Sequence, residues 1–303
     1  MQLQILSDLH LETTPSCRYI FPFPATAPSL ALLGDIGNTR DPEYFEFLET
    51  QLWRFERVFL VLGNHEPYKS SWEAARRVVG EFEEKWNGIR EKESGDGGKQ
   101  RGELVFLNRR RWDWGGREKE ERVTILGCTL FSKIKMAEMQ NIRDVLKDFK
   151  QIKDWTVEGH LSAFEKDAEW IRNTVEEISL EDEKLGRKRK IILLTHHAPT
   201  QLEGAHDPRH KHSPIKVESA FATELKSETW WKRDGESGLR LVAFGHTHWN
   251  CDFVDEETGV RMVANQKGYL WSQIRDGGLS FDAGKVVDVK DDGWKPRNNK
   301  NQC

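Results

Sequence analysis

The chain has 303 residues, a length suited to one large globular domain with loop insertions. Hydrophobic residues make up 37% and charged residues 32%, with 46 basic against 50 acidic side chains, a near balance that excludes the strongly basic field used to hold long nucleic acids. The four scattered cysteines (Cys17, Cys128, Cys251 and Cys303) include no CxxC pair and read as free thiols of a reducing compartment rather than a secreted disulfide framework.

The chain enters directly into Gln2-Leu3-Gln4-Ile5-Leu6, the pattern of a buried strand, with no basic segment and long apolar run of a secretory signal. No stretch approaches the roughly 18 apolar residues of a membrane span, so a soluble, cytoplasmic protein is expected. Further apolar runs of strand length follow at Leu30 to Leu33, Val58 to Leu62, Leu104 to Leu107, Val123 to Leu126, Ile191 to Leu194 and Leu239 to Phe244. Asp252 to Asp255, Val260 to Ala264 and Val286 to Val289 read as shorter strands, the first two joined as a hairpin across Glu256-Glu257-Thr258-Gly259. Between the strands lie helical periods: Phe45, Leu48, Leu52 and Phe55; Trp72, Ala75, Val79, Phe82 and Trp86; and Leu161, Phe164, Ala168, Ile171, Val175 and Ile178. Each places one apolar stripe against a sheet, which predicts an α/β fold built as layered sheets and helices.

Gly88 to Gly102 is too polar and glycine-rich to pack and reads as a mobile loop, and the tail from Asp291 to Cys303 reads as loose. A single domain over residues 1–290 with insertions near 88–103 and 200–232 is therefore expected. Lys188-Arg189-Lys190, just before a strand, reads as a solvated turn.

The residues with chemistry to offer cluster just past the strand ends. Asp8 and His10 come after the first strand, Gly34-Asp35 after the second, and Gly63-Asn64-His65-Glu66 after the third; Thr195-His196-His197 ends a later strand, and Gly245-His246-Thr247-His248 comes after the next. The first four pieces alone are ordinary turn or surface motifs, and Gly245-His246-Thr247-His248 is a stronger signal, because alternation in an extended segment points both rings the same way. The joint order of all five at successive strand ends is not ordinary, because in a mainly parallel sheet those carboxyl ends share one edge. Mixed imidazole and carboxylate donors suit Mn, Fe, Zn or Co rather than calcium, and the absence of cysteine from every block disfavours a structural zinc site.

This series resembles the full signature of the calcineurin-like metallophosphoesterase superfamily, from residue 8 to residue 248. The resemblance implies a layered αββα sandwich of mixed sheets with a dinuclear metal centre at the carboxyl ends of the strands. It implies Asp8, His10 and His248 on one metal, Asn64, His196 and His246 on the other, and Asp35 bridging both. The implied cofactors are two divalent or trivalent transition-metal ions, which would activate a bridging hydroxide for attack on phosphorus. Catalytic roles fall to Asp35 and to His65, the latter as proton donor to the departing alkoxide. Glu66 is expected to hold backbone or His65 in place.

Departures from subfamily patterns narrow the substrate. Gly34-Asp35 continues as Ile36-Gly37-Asn38 and Leu62 precedes Gly63, so two phosphate-gripping arginines of the serine/threonine protein phosphatases are missing. No Tyr stands between Asp35 and Asp41, against the pattern of the purple acid phosphatases. The Gly-His-x-His ending is similar to the phosphodiesterase-like members. A phosphodiesterase acting on a small nucleotide-type or cyclic nucleotide diester is expected, with monoesterase or nuclease as the alternative. Candidate substrate contacts are Asn64, His65 and His197, together with Trp249, whose alternative is a core aromatic, and His206, His210 and His212 in the 200–232 loop, whose alternative is an ordinary exposed loop; Met136 to Trp155, with Arg143, is a second candidate wall. A non-catalytic scaffold subunit is the rival from another class, and the complete donor set argues against it.

Overall fold

The computed structural model describes residues 1–13, 18–93, 100–115, 122–209, 214–231, 233–234, 237–269 and 279–288. Twelve strands and five α-helices are assigned among these. The first sheet has the order β12-β1-β2-β3-β4, built from β1 (Gln2–Leu6), β2 (Ser29–Leu33), β3 (Arg57–Val61), β4 (Glu103–Phe106) and β12 (Val286–Asp288). Its four early strands run parallel, and β12 closes the edge antiparallel to β1. The second sheet has the order β10-β11-β9-β7-β6-β5, from β5 (Arg110–Trp114), β6 (Arg122–Cys128), β7 (Arg189–Thr195), β9 (Ser237–Phe244), β10 (Cys251–Val254) and β11 (Arg261–Ala264); β8 (Arg233–Asp234) pairs with β9. β6, β7, β9 and β11 are parallel, so both sheets are mixed.

Strand alternation explains the layering. Leu3, Ile5, Ala31, Leu33, Phe59 and Val61 of the first sheet pack against Ile125, Ile192, Leu194, Leu241 and Ala243 of the second in one buried cluster. The intervening residues, including Leu30, Leu32, Leu60, Leu193 and Val242, share a second cluster with apolar residues of the helices. α1 (Pro42–Leu52) and α2 (Trp72–Glu93) cover the first sheet, and α5 (Val157–Leu185) covers the second. Thr156 caps α5 by accepting from Gly159 N at 3.1 Å, and Gly186 ends it in the left-handed conformation. The predicted α/β sandwich of mixed sheets is the observed one.

Several local expectations change. β5 has no apolar run; it is an edge strand in which Trp112 and Trp114 face the core while Arg111 turns outward to Glu181. Lys188-Arg189-Lys190 is not a solvated turn: Arg189 opens β7, is buried, and is held by Asp182 Oδ1 at 2.6 Å and by Glu181. The stretch read as a loop from Gly88 is helical to Glu93, where α2 ends; residues 94–99 and the 291–303 tail lie outside the described residues. The 136–155 insertion folds as two short helices, α3 (Met139–Val145) and α4 (Asp148–Gln151). Cys128 and Cys251 are buried free thiols; Cys17 and Cys303 lie outside the described residues.

Candidate metal centre

Because β1, β2 and β3 run parallel in one sheet and β7 and β9 in the other, their carboxyl ends deliver the candidate donors to one edge. Asp8, His10 and His248 form one group and Asp35, His196 and His246 another, each with ligand-type atoms within 4.8 Å of one another. Asp35 lies between them, with Oδ1 at 3.5 Å from His196 Nε2 and Oδ2 at 3.9 Å from His10 Nε2. His248 Nε2 is 3.2 Å from Asp8 Oδ1 and 3.0 Å from His10 Nε2.

The local backbone is bent to make this possible. Asp8, His10, Asp35, His246 and His248 all have φ between 47° and 68°. Non-glycine residues rarely adopt that left-handed region, though Asp and His tolerate it better than most, and such strain concentrates at functional sites. Gly245 allows the close approach of two chains: a methyl there would lie 2.6 Å from Asp8 Oδ2 and closer still to Ser7 Oγ. Glu66 has the structural role expected of it, accepting from the backbone N–H groups of Asp35, Ile36 and Gly63 at 2.8 to 3.0 Å.

The donors present themselves as ligands. Burial pushes the His10 and His196 imidazoles down to about 4 and those of His197 and His246 well below their ordinary value. Neutral rings keep a lone pair for a cation. The carbonyl of Leu33, 2.8 Å from His196 Nδ1, can only accept, so Nδ1 carries the proton and Nε2 turns its lone pair to the site. His246 Nε2 is buried with no hydrogen-bond partner, and the facing His10 and His248 nitrogens need a proton or cation between them. Burial raises the Asp35 carboxyl well above the usual range, with Glu66 and Asp8 adding to the effect and His65 opposing it. A buried, strained group of carboxylates and neutral imidazoles fits divalent metal ions.

Asn64 and His65 approach from β3. Asn64 Nδ2 donates to Asp148 Oδ1 at 2.9 Å, which leaves its Oδ1 facing His196 Nε2 at 3.1 Å. His65 Nδ1 lies 2.8 Å from Glu12 Oε1, and its Nε2 is 3.1 Å from the Tyr269 hydroxyl and 3.8 Å from Asp35 Oδ2. Burial works against protonation of His65, but the charges of Asp35, Glu12 and Asp148 outweigh it and lift the ring to about 9.

A cavity of about 810 Å³ opens over these groups. Leu146, Leu202, Phe221 and Trp249 form its apolar walls, so both the 136–155 insertion and the 200–232 loop border it. Trp249 is buried there, its indole N–H donating to Gly204 O at 3.0 Å. His206 also lines the cavity, with Nε2 at 2.5 Å from Thr200 O. The structure does not bring His197 to it: that ring is enclosed by His246, His160 and Phe131. Arg143 points away and pairs with Glu158 at 3.2 Å. His210 and His212 lie outside the described residues.

Glu12, Tyr68, Asp148 and Tyr269 were missed by sequence reasoning. The alternation Asp8-x-His10-x-Glu12 was a signal for the first. Asp148 stands 84 residues from Asn64 and no spacing announces it.

The chain is similar to a mimivirus protein of uncharacterized function, L509 of Acanthamoeba polyphaga mimivirus, at 23% identity over 281 residues, covering 88% of this chain and 91% of that one. The model of the calcineurin-like phosphoesterase family matches residues 3–250, a span that takes in every candidate ligand. The chain belongs to the calcineurin-like phosphoesterase family, and metal-dependent hydrolysis of a phosphoric ester is the chemistry of this site.

Proposed function

We propose that this protein is a phosphodiesterase that hydrolyses small nucleotide-type or cyclic nucleotide diesters at a dinuclear metal centre. Asp8, His10 and His248 would hold one ion, Asn64, His196 and His246 the other, and Asp35 both. The two ions would supply an activated water and offset the negative charge that develops on phosphorus. The remaining work belongs to side chains. His65, protonated and oriented by Glu12, donates its proton to the departing oxygen. Asp148 fixes the amide of Asn64 so that its carbonyl oxygen, not its NH₂, faces the centre. Leu146, Leu202 and Phe221 exclude water from the organic part of the ester.

One observation carries the choice of diester. No arginine is among the described residues lining the cavity over the candidate ligands, where Lys147 is the sole Lys or Arg. A dianionic monoester needs more positive charge around its free oxygens than a monoanionic diester does. The test is turnover of bis(4-nitrophenyl) phosphate, 4-nitrophenyl phosphate and the 2′,3′- and 3′,5′-cyclic nucleotides by the same manganese-loaded protein. Diesters are expected to exceed the monoester about tenfold or more in kcat/KM, an order of magnitude being roughly 1.4 kcal/mol of transition-state binding. The reverse order would overturn the preference, and no turnover with no bound metal would favour the scaffold.

A further inference from the structure

A second cavity, of about 760 Å³, meets the first at His65, Tyr68, Lys147 and Tyr269 and touches none of the candidate metal ligands. Its charge is unlike that of the first. Arg18, Arg40, Lys69 and Lys147 line it, against two carboxylates, Glu12 and Asp41. Both carboxylates are already engaged: Glu12 by His65, and Asp41 by Arg18 and the Tyr19 hydroxyl. Arg40, Lys69 and Lys147 form no ion pair among the described residues.

The backbone that carries these cations is fixed. Lys69 has φ 59°, its N–H donates to Gln151 O at 2.7 Å, and its carbonyl accepts from Arg40 Nη1 at 2.9 Å. Gln151 ends α4, whose first residue, Asp148, positions Asn64, and Lys147 immediately precedes that helix. One short element thus serves the centre and the cationic cavity together. Three unpaired cations around one space repel each other, a cost that a bound anion relieves.

We propose that this cavity is the leaving-group subsite and that it takes a leaving group bearing a phosphate of its own. The assignment rests on His65 as the proton donor, because a donor must stand beside the atom that departs. His65 borders both cavities, so the departing group extends into the cationic one while the retained group lies along Leu146, Leu202 and Phe221. Lysine ammonium groups act as point charges for phosphate oxygens, and their exposure makes the attraction salt-dependent.

Titration calorimetry with the metal-loaded protein tests this without turnover. Thymidine 3′,5′-bisphosphate is expected to bind about tenfold or more tightly than thymidine 3′- or 5′-monophosphate, with the ratio shrinking at high salt. In Lys69→Gln/Lys147→Gln the ratio falls towards one, and Lys69→Arg/Lys147→Arg retains most of it. Propane-1,3-diol bisphosphate against its monophosphate separates the sources of the anion: an equal advantage means that phosphate alone is read, and a smaller one means that the nucleoside contributes. Equal affinity for bisphosphate and monophosphate in the natural protein, or an undiminished ratio in the double Gln variant, overturns the proposal and leaves solvated lysines only. Failure of the diesterase reading shows separately, as absent hydrolysis of bis(4-nitrophenyl) phosphate, and leaves the binding ratio readable.

Discussion

His65 meets Glu12 through Nδ1 and faces Asp35 and Tyr269 through Nε2. The pairing with Glu12 fixes which nitrogen turns towards Asp35 and stabilises the charged ring, which suits the proton donor proposed above. If Glu12 acts through His65, their effects are one effect. His65→Asn should slow esters with poor leaving groups by about 100-fold or more while metal content stays, and Glu12→Gln should slow the same esters by about tenfold. The double variant should be no slower than His65→Asn. Steady-state rates across a leaving-group series check this, and additive losses would remove Glu12 from the positioning role. Asn64 shows the same logic in an amide. The Asn64 NH₂ donates to Asp148 and to the Tyr68 hydroxyl, which itself donates to Asp148, and this decides which end of a near-symmetric group faces His196; that is why a carboxylate from a distant insertion matters to a residue just past β3.

Elements bring these residues together through the turns that follow the strands, and one such turn is tied to a helix. After β6, Leu130 and Phe131 both have positive φ, and the Leu130 N–H donates to Asp167 Oδ2 of α5 at 2.8 Å. Just before them, Thr129 accepts from His197 N at 3.1 Å and donates through Oγ1 to Leu62 O at 2.9 Å, linking the second sheet to the end of β3. Asp167→Ala leaves the buried Leu130 N–H without its acceptor and Arg109 without its partner. The expected loss is about 2–3 kcal/mol, read as a lower urea midpoint with unchanged slope. An unchanged midpoint would mean that α5 does not pin the turn. The same elements show what the sequence could and could not reveal. Apolar runs exposed the buried parallel strands, because burial on both faces leaves no room for polar residues, and the donors after those strands were legible for that reason. β5 escaped because an edge strand with Arg111 and Asp113 on its outer face has no such run. Asp148 and Tyr269 escaped because tertiary packing alone brings them to the site, from an insertion and from the turn after β11. The left-handed φ of Asp8, His10 and His246 has no composition signal either, since no glycine marks those positions.

At the scale of the whole molecule, the buried histidines make stability depend on pH, and His160, which is not itself a candidate ligand and meets His246 only across the His197 ring, shows the effect. It is buried on α5, its Nε2 accepts from Ser132 N at 3.0 Å, and burial lowers its pKa to about 3. In the unfolded chain the ring titrates near the ordinary 6.5. Between these values the unfolded state binds a proton that the folded state refuses, so stability is complete above about 6.5 and is lost as pH falls towards 3. At pH 5 the loss from this one ring is about 2 kcal/mol. Buried carboxyls act in the opposite sense. Asp167, raised by burial to about 6, gains stability as pH falls below that value, so the net slope of the natural protein mixes both signs. Comparison with His160→Gln removes the mixture, because the amide oxygen still accepts from Ser132 and does not titrate in this range. In metal-free protein, the stability of the natural chain relative to His160→Gln should fall by about 2 kcal/mol between pH 7.5 and pH 5, measured by urea denaturation at each pH. A difference that stays constant over that range would mean that the His160 ring is protonated in the fold and that Ser132 N donates elsewhere.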